Sequence, residues 1–142
     1  MDTDVLINWL LEETETGTNR ELWKTPFAIV TAIECKKING YVSLISVLET
    51  RSLLSRKKKF SSHLINDSIG KIKKVFKLTI PDHNELIGAD KIQEKYLLDP
   101  FDSILLSTTV NLSDAVLISR DAKFLKIASR FVRAQTPEAF FK

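Results

Sequence analysis

The sequence predicts a three-layer α/β/α domain built on a parallel β-sheet, and three observations carry that prediction. Short apolar runs at residues 41–45, 78–80, 115–119 and 131–134 alternate with stretches of helical periodicity. Strands that alternate with helices pair in parallel and are covered on both faces. The 142 residues, 44% hydrophobic and 27% charged, suffice for one continuous core and leave no room for a second, so 1–142 reads as a single domain. No run approaches the roughly 18 apolar residues of a membrane span, and no basic-then-apolar leader opens the chain. A soluble, cytoplasmic protein without a membrane partner is therefore expected.

Each element follows from a local signal. Residues 5–11 read as a buried helix, and 12–20, rich in Thr and Glu with Gly17, as a surface loop. Thr25-Pro26 reads as an N-cap with proline at the first helical position, opening a helix over 27–38 that Asn39-Gly40 stops. A strand follows over 41–45. Ser46 to Glu49 has the form of a capping box, opening a helix that carries Arg51 and the basic run 56–59. Ile65, Ile69, Ile72 and Phe76 mark the next helix at helical spacing. Residues 78–80, closed by Pro81, form a strand, and 85–97 a helix. Asp99-Pro100 opens a helix that ends near Asn111. Residues 115–119 are the clearest strand, 121–130 are helical, 131–134 are a last strand, and Thr136-Pro137 begins a final turn. A doubly covered sheet also needs a central strand of roughly 5 to 6 residues. The expectation is that the natural polypeptide carries one, rich in Val, Ile or Leu, before Met1.

Several chemistries are excluded. The four glycines (Gly17, Gly40, Gly70, Gly88) are scattered, so neither a Walker loop nor GxGxxG can be written. Cys35, the single cysteine, cannot form an internal disulfide or a thiolate zinc site. His63 and His83 lie in polar segments with no Ser or Cys partner, against a triad. Trp9 and Trp23 read as core-edge residues rather than base-stacking platforms. Charge is unevenly spread. Between Arg51 and Lys77 nine basic residues face one acid, Asp67, inside a chain of net charge +3. Such a basic middle suits a polyanion such as nucleic acid, and equally a solvated helix face.

Four acids share one kind of position. Asp2 precedes the run 5–11, Glu49 follows the strand 41–45, Asp102 lies in the first turn after Pro100, and Asp121 follows the strand 115–119. Singly, each reads as a helix-start acid opposing the helix dipole. Jointly they belong to one edge, because the carboxyl ends of parallel strands converge where ligands bind. Carboxylates gathered there repel one another unless a cation sits among them. Oxygen-only ligands suit Mg2+ or Mn2+ rather than zinc. Beside a basic surface, such an ion is suited to phosphodiester hydrolysis.

These segments resemble the PIN-domain nucleases, in particular VapC-like toxins. Asp2-Thr3-Asp4-Val5-Leu6-Ile7 is similar to the family's opening DTN/S-V-L-I motif. Ser43 to Glu49 resembles its strand-to-helix segment, in which a serine precedes the glutamate by six positions. Asp102-Ser103-Ile104 with Leu106 to Thr109 resembles its D-x-x-I-A-A-T-A helix, with Ser107 and Thr109 in place of alanines. Leu117-Ile118-Ser119-Arg120-Asp121 to Phe124 resembles its L-V-T-x-D-x-x-F segment. The resemblance implies a Mg2+- or Mn2+-dependent endoribonuclease with Asp2, Glu49, Asp102 and Asp121 as catalytic metal ligands. It implies Thr3, Asp4 and Ser119 as supporting groups, and Arg51, Arg56, Lys57, Lys58 and Lys59 as candidates for RNA contacts. It further implies an RNA substrate, a homodimer and a cognate antitoxin. A PIN nuclease of RNA processing, or a PIN-like module that binds RNA or protein without catalysis, are the alternatives. A receiver-like signalling domain would need a lysine after the last strand pair, where only Arg133 stands.

Overall fold

Side-chain caps place most of the helices in the computed structural model, which describes Met1–Lys142. Helix α1 (Thr3–Leu11) starts behind Asp2, whose carboxylate accepts from the Thr3 N–H. Helix α3 (Leu44–Arg56) starts behind Ser43, and α4 (Ser62–Val75) behind Ser61. An Asp82–Glu85 capping box opens α5 (His83–Tyr96), Asp99 with Pro100 opens α6 (Pro100–Val110), and Asp121 opens α7 (Ala122–Ala128). Each cap satisfies N–H groups that the first helical turn leaves free.

Two expected starts are corrected. The Ser46–Glu49 capping box does not form, because Ser43 caps the helix three residues earlier and accepts from the Ile45 N–H. The strand expected over 41–45 therefore ends at Ser43. Helix α2 (Lys24–Glu34) begins at Lys24 with Trp23 as an uncapped N-cap, not behind Thr25. Pro26 falls within its first turn, where the missing N–H has no partner to lose.

The strands β1 (Tyr41–Ser43), β2 (Lys77–Thr79), β3 (Val116–Ile118) and β4 (Arg133–Gln135) are each three residues long. β1 pairs in parallel with β2, Val42 opposite Leu78, and β3 pairs in parallel with β4, Leu117 opposite Ala134. The class is α/β with parallel strands, as expected, but the strands form two separate pairs rather than one continuous sheet. Only Met1 and Asp2 stand between the pairs. The Met1 amine donates to the Tyr41 carbonyl at 3.1 Å, and the Asp2 N–H donates to the Ile118 carbonyl at 2.9 Å.

The core follows the same division. Leu6, Val42, Val47, Leu54, Ile69 and Ile72 fill one half. Leu105, Leu106, Leu117, Phe124 and Ala128 fill the other. Val5, Ile29 and Ile118 join them, so α1 touches both sides of the division. No helix is long and apolar enough to cross a membrane.

The hydroxyls of α6 are accommodated locally. Thr109 donates to the Leu105 carbonyl one turn back at 2.7 Å. Ser107 fits because α5 presents Gly88 to it: a Cβ at Gly88 would lie 2.5 Å from Ser107 Oγ. Gly88→Ala gains helix propensity but overpacks this contact, and we expect a net loss of about 1–3 kcal/mol. Adding Ser107→Ala should recover most of it. Urea denaturation of the two variants checks this, and additive effects would show that the contact is not the cause.

Candidate active site

The four acids lie where the segment ends meet. Asp2, nearly buried, uses both oxygens: Oδ1 accepts from the Thr3 N–H at 2.7 Å and Oδ2 from the Ser119 hydroxyl at 2.6 Å. Ser119, directly after β3 and wholly buried, also accepts the Asp121 N–H at 3.1 Å. One hydroxyl thus ties Asp2 to the start of α7. The Thr3 hydroxyl donates to Glu49 Oε2 at 2.5 Å, linking α1 to α3. Asp121 Oδ1 accepts the Phe124 N–H at 2.8 Å. Asp102, in the first turn of α6, has no such bond to relieve its charge.

The electrostatics place these side chains in one neighbourhood. Burial and then repulsion from Asp2, Asp99, Asp121 and Glu49 push Asp102 up to about 7. Burial likewise raises Asp2, with the bonds from Ser119 and Thr3 opposing, and Asp121 adding repulsion. Glu49 is raised by burial, with Thr3 opposing and Asp2 and Asp99 repelling, and Lys57 is near enough to favour its ionised form. Carboxylates that resist ionisation together mark a site short of positive charge. No group of three or more His, Cys, Asp or Glu is positioned to hold a metal ion in this arrangement.

Sequence reading named Asp4 as a supporting group but overlooked Arg120, through which the support behind Asp121 runs. Asp4 accepts the Val5 N–H at 2.6 Å and the Arg120 N–H at 2.9 Å, and burial with repulsion from Asp2 raises it to about 7. The Arg120 side chain donates to Asn8 Oδ1 and to the Leu22 carbonyl, both at 2.7 Å, and pairs with Glu138 at 2.7 Å. Residues 119–121 are thereby braced against α1 and the C-terminal 3-10 turn (Pro137–Ala139). Asp99, read as a cap, does cap α6 and is also a fifth acid beside the site.

The basic candidates divide. Arg51 donates to Asn66 at 2.8 Å, and Lys58 pairs with Glu13 at 2.6 Å. Arg56, Lys57 and Lys59, at the end of α3, are exposed and carry no ion pair. His63 is a surface residue beside Asp67.

Acids at the carboxyl ends of parallel strands, beside a basic helix end, can serve phosphodiester chemistry. The family model of the PIN domain matches residues 1–130, which include all four acids and every element through α7. The chain belongs to the PIN-domain family. A comparison with curated proteins finds none that matches. PIN domains are typically nucleases, so this PIN domain carries a nuclease-type fold.

Proposed function

We propose that this PIN domain is a Mg2+- or Mn2+-dependent endoribonuclease and the toxin of a toxin–antitoxin pair, acting as a homodimer that a cognate antitoxin restrains. The observation that carries the nuclease reading is the joint resistance of Asp2, Glu49 and Asp102 to ionisation around one site. A hard divalent cation fits this donor set, because its ligands are all carboxylate oxygens and its charge relieves their repulsion. Asp2, Glu49, Asp102 and Asp121 would hold it. When bound, such an ion polarises a water and neutralises charge on the phosphodiester.

The protein's own groups supply orientation. Ser119 fixes the Asp2 carboxylate and the Asp121 backbone together, and Thr3 fixes Glu49, so neither acid turns away as charge builds. Arg56, Lys57 and Lys59 are the cations free to meet phosphates, whereas Arg51 and Lys58 must first leave Asn66 and Glu13.

Binding by these cations makes RNA affinity fall with salt by roughly 0.7 log units per log unit for each phosphate met on a single strand. Neutralising Arg56, Lys57 and Lys59 together should flatten the slope by about 2. An unchanged slope assigns the run to a solvated helix face.

A second reading, an RNA-binding module without catalysis, draws on the lack of any three acids positioned for one ion. Induced expression in a bacterial host separates the readings. Toxin action halts growth with RNA cut at defined sites, and the Asp102→Asn chain does neither. A chain that binds RNA, cuts none and leaves growth unaffected would instead establish the module.

A further inference from the structure

A second basic surface lies on α7 and the segment that follows it, in the core half that does not hold α3. From Ala122 to Pro137 the chain carries four cations, Lys123, Lys126, Arg130 and Arg133, and no acid. All four are exposed and none is in an ion pair. Helix α7 has seven residues and is therefore about 10 Å long. It starts at Asp121 in the acid site, carries Lys123 and Lys126, and leads to Arg130 and Arg133.

Aromatic rings sit among these charges. Tyr96, the last residue of α5, has Lys95 Nζ 5.4 Å and Arg130 Cζ 5.6 Å from its ring centre. Phe131 stands edge-on to the same ring, 5.6 Å between centres, and is 41% exposed. Arg130, Phe131 and Arg133 line an open hollow of about 520 Å³ formed by the segment that runs from α7 through β4. Cations drawn to one ring with no carboxylate between them repel each other, and a phosphate relieves that repulsion. A guanidinium held against a ring still has its rim of N–H donors to offer to phosphate oxygens. A solvated helix face needs the charges alone, not an exposed phenyl ring among them. Cations that track a backbone beside rings on which bases stack are the means by which proteins hold single-stranded nucleic acid.

We propose that this surface is a second contact site for single-stranded RNA. One base stacks on the exposed Phe131 ring in the hollow, the flanking phosphates meet Arg130 and Arg133, and Lys126 and Lys123 lead the strand along α7 to the acids. The proposal rests on the ribonuclease activity proposed above and adds the path of the strand. Arg56, Lys57 and Lys59 lie at the end of α3, in the other core half. The acids therefore stand between two basic surfaces, and a strand held on both sides of the bond to be cut keeps that bond in place.

Binding of a single-stranded oligoribonucleotide is measured by fluorescence anisotropy in the Asp102→Asn chain, so that cleavage does not consume the probe. Phe131→Ala should weaken binding roughly 5- to 150-fold at every salt concentration with the salt slope unchanged, as expected for one stacked base. Phe131→Trp should restore the affinity. Arg130→Gln together with Arg133→Gln should flatten the slope by about 1.4. A duplex RNA, whose bases are already paired, should not respond to Phe131→Ala. These side chains are exposed, so the variants fold, which circular dichroism checks. Unchanged affinity and slope in all variants overturn the proposal even where the acids cut RNA. The expected losses in a chain that never cuts RNA leave this surface standing and remove the nuclease reading instead. A chain that binds no RNA overturns both. Polyglutamate bound through Arg130 and Arg133 in place of RNA, without dependence on Phe131, overturns the proposal in favour of an acidic protein segment.

Discussion

Asp102→Asn and Asp121→Asn each lower RNA cleavage by on the order of 10³-fold or more, equivalent to several kcal/mol of lost charge stabilisation, while both variants fold. Asp102 has no hydrogen bond to lose and is the carboxylate most burdened by its neighbours, so the neutral amide relieves repulsion. Asn at 121 still caps α7, since asparagine accepts the Phe124 N–H as aspartate does. Single-turnover cleavage of a structured RNA, read beside circular dichroism and urea denaturation, separates lost chemistry from lost fold. Both variants cleaving at the unsubstituted rate would remove these acids from the reaction.

Stability of the metal-free protein should fall as pH rises through neutrality, the reverse of an ordinary paired carboxylate. Asp102 titrates at about 7 in the fold against 3.8 ordinarily. The folded state therefore holds a proton that the unfolded chain has released. The stability this gives is complete below the ordinary value and is lost as pH rises through about 7. The Asp102→Asn chain lacks the Asp102 part of that dependence and keeps the part due to the other raised acids, Asp4 among them, so the difference in melting temperature between it and the unsubstituted protein should widen from pH 5 to pH 8. Mg2+ or Mn2+ should reverse the trend, because the ion binds the ionised carboxylates and its stabilisation grows with pH. A metal-induced shift that is the same at pH 5 and pH 8 would show that these acids do not hold the ion.

The α/β class was legible because Leu117, Ile118 and the Ser119-Arg120-Asp121 junction form a sharp strand-to-helix signal, and the motif segments bracket it. The helix starts at Asp2, Asp99 and Asp121 were legible because short polar side chains act on their own next turn. Neighbouring serines blurred others: Ser43 and Ser46 both suit an N-cap, and only the pairing of β1 with β2 shows that the strand stops at the first. The brace from Arg120 to Asp4, Asn8 and Glu138 spans up to 116 positions and has no local mark. The Lys58–Glu13 pair was hidden in the same way, since a basic run does not tell which of its members is already partnered. The division of the sheet into two pairs has no local mark, since strand propensity within either pair does not report how the pairs are joined.

The most direct test of the site is where Mn2+ binds. In a titration of the metal-free protein followed by nuclear magnetic resonance, paramagnetic broadening should appear together and saturably at the amides of Thr3, Glu49, Ser103 and Asp121, and disappear in the Asp102→Asn chain. Broadening centred on another acidic group, such as Asp82 and Glu85 at the start of α5, or unchanged in the Asp102→Asn chain, would contradict the assignment of the four carboxylates as one metal-dependent centre.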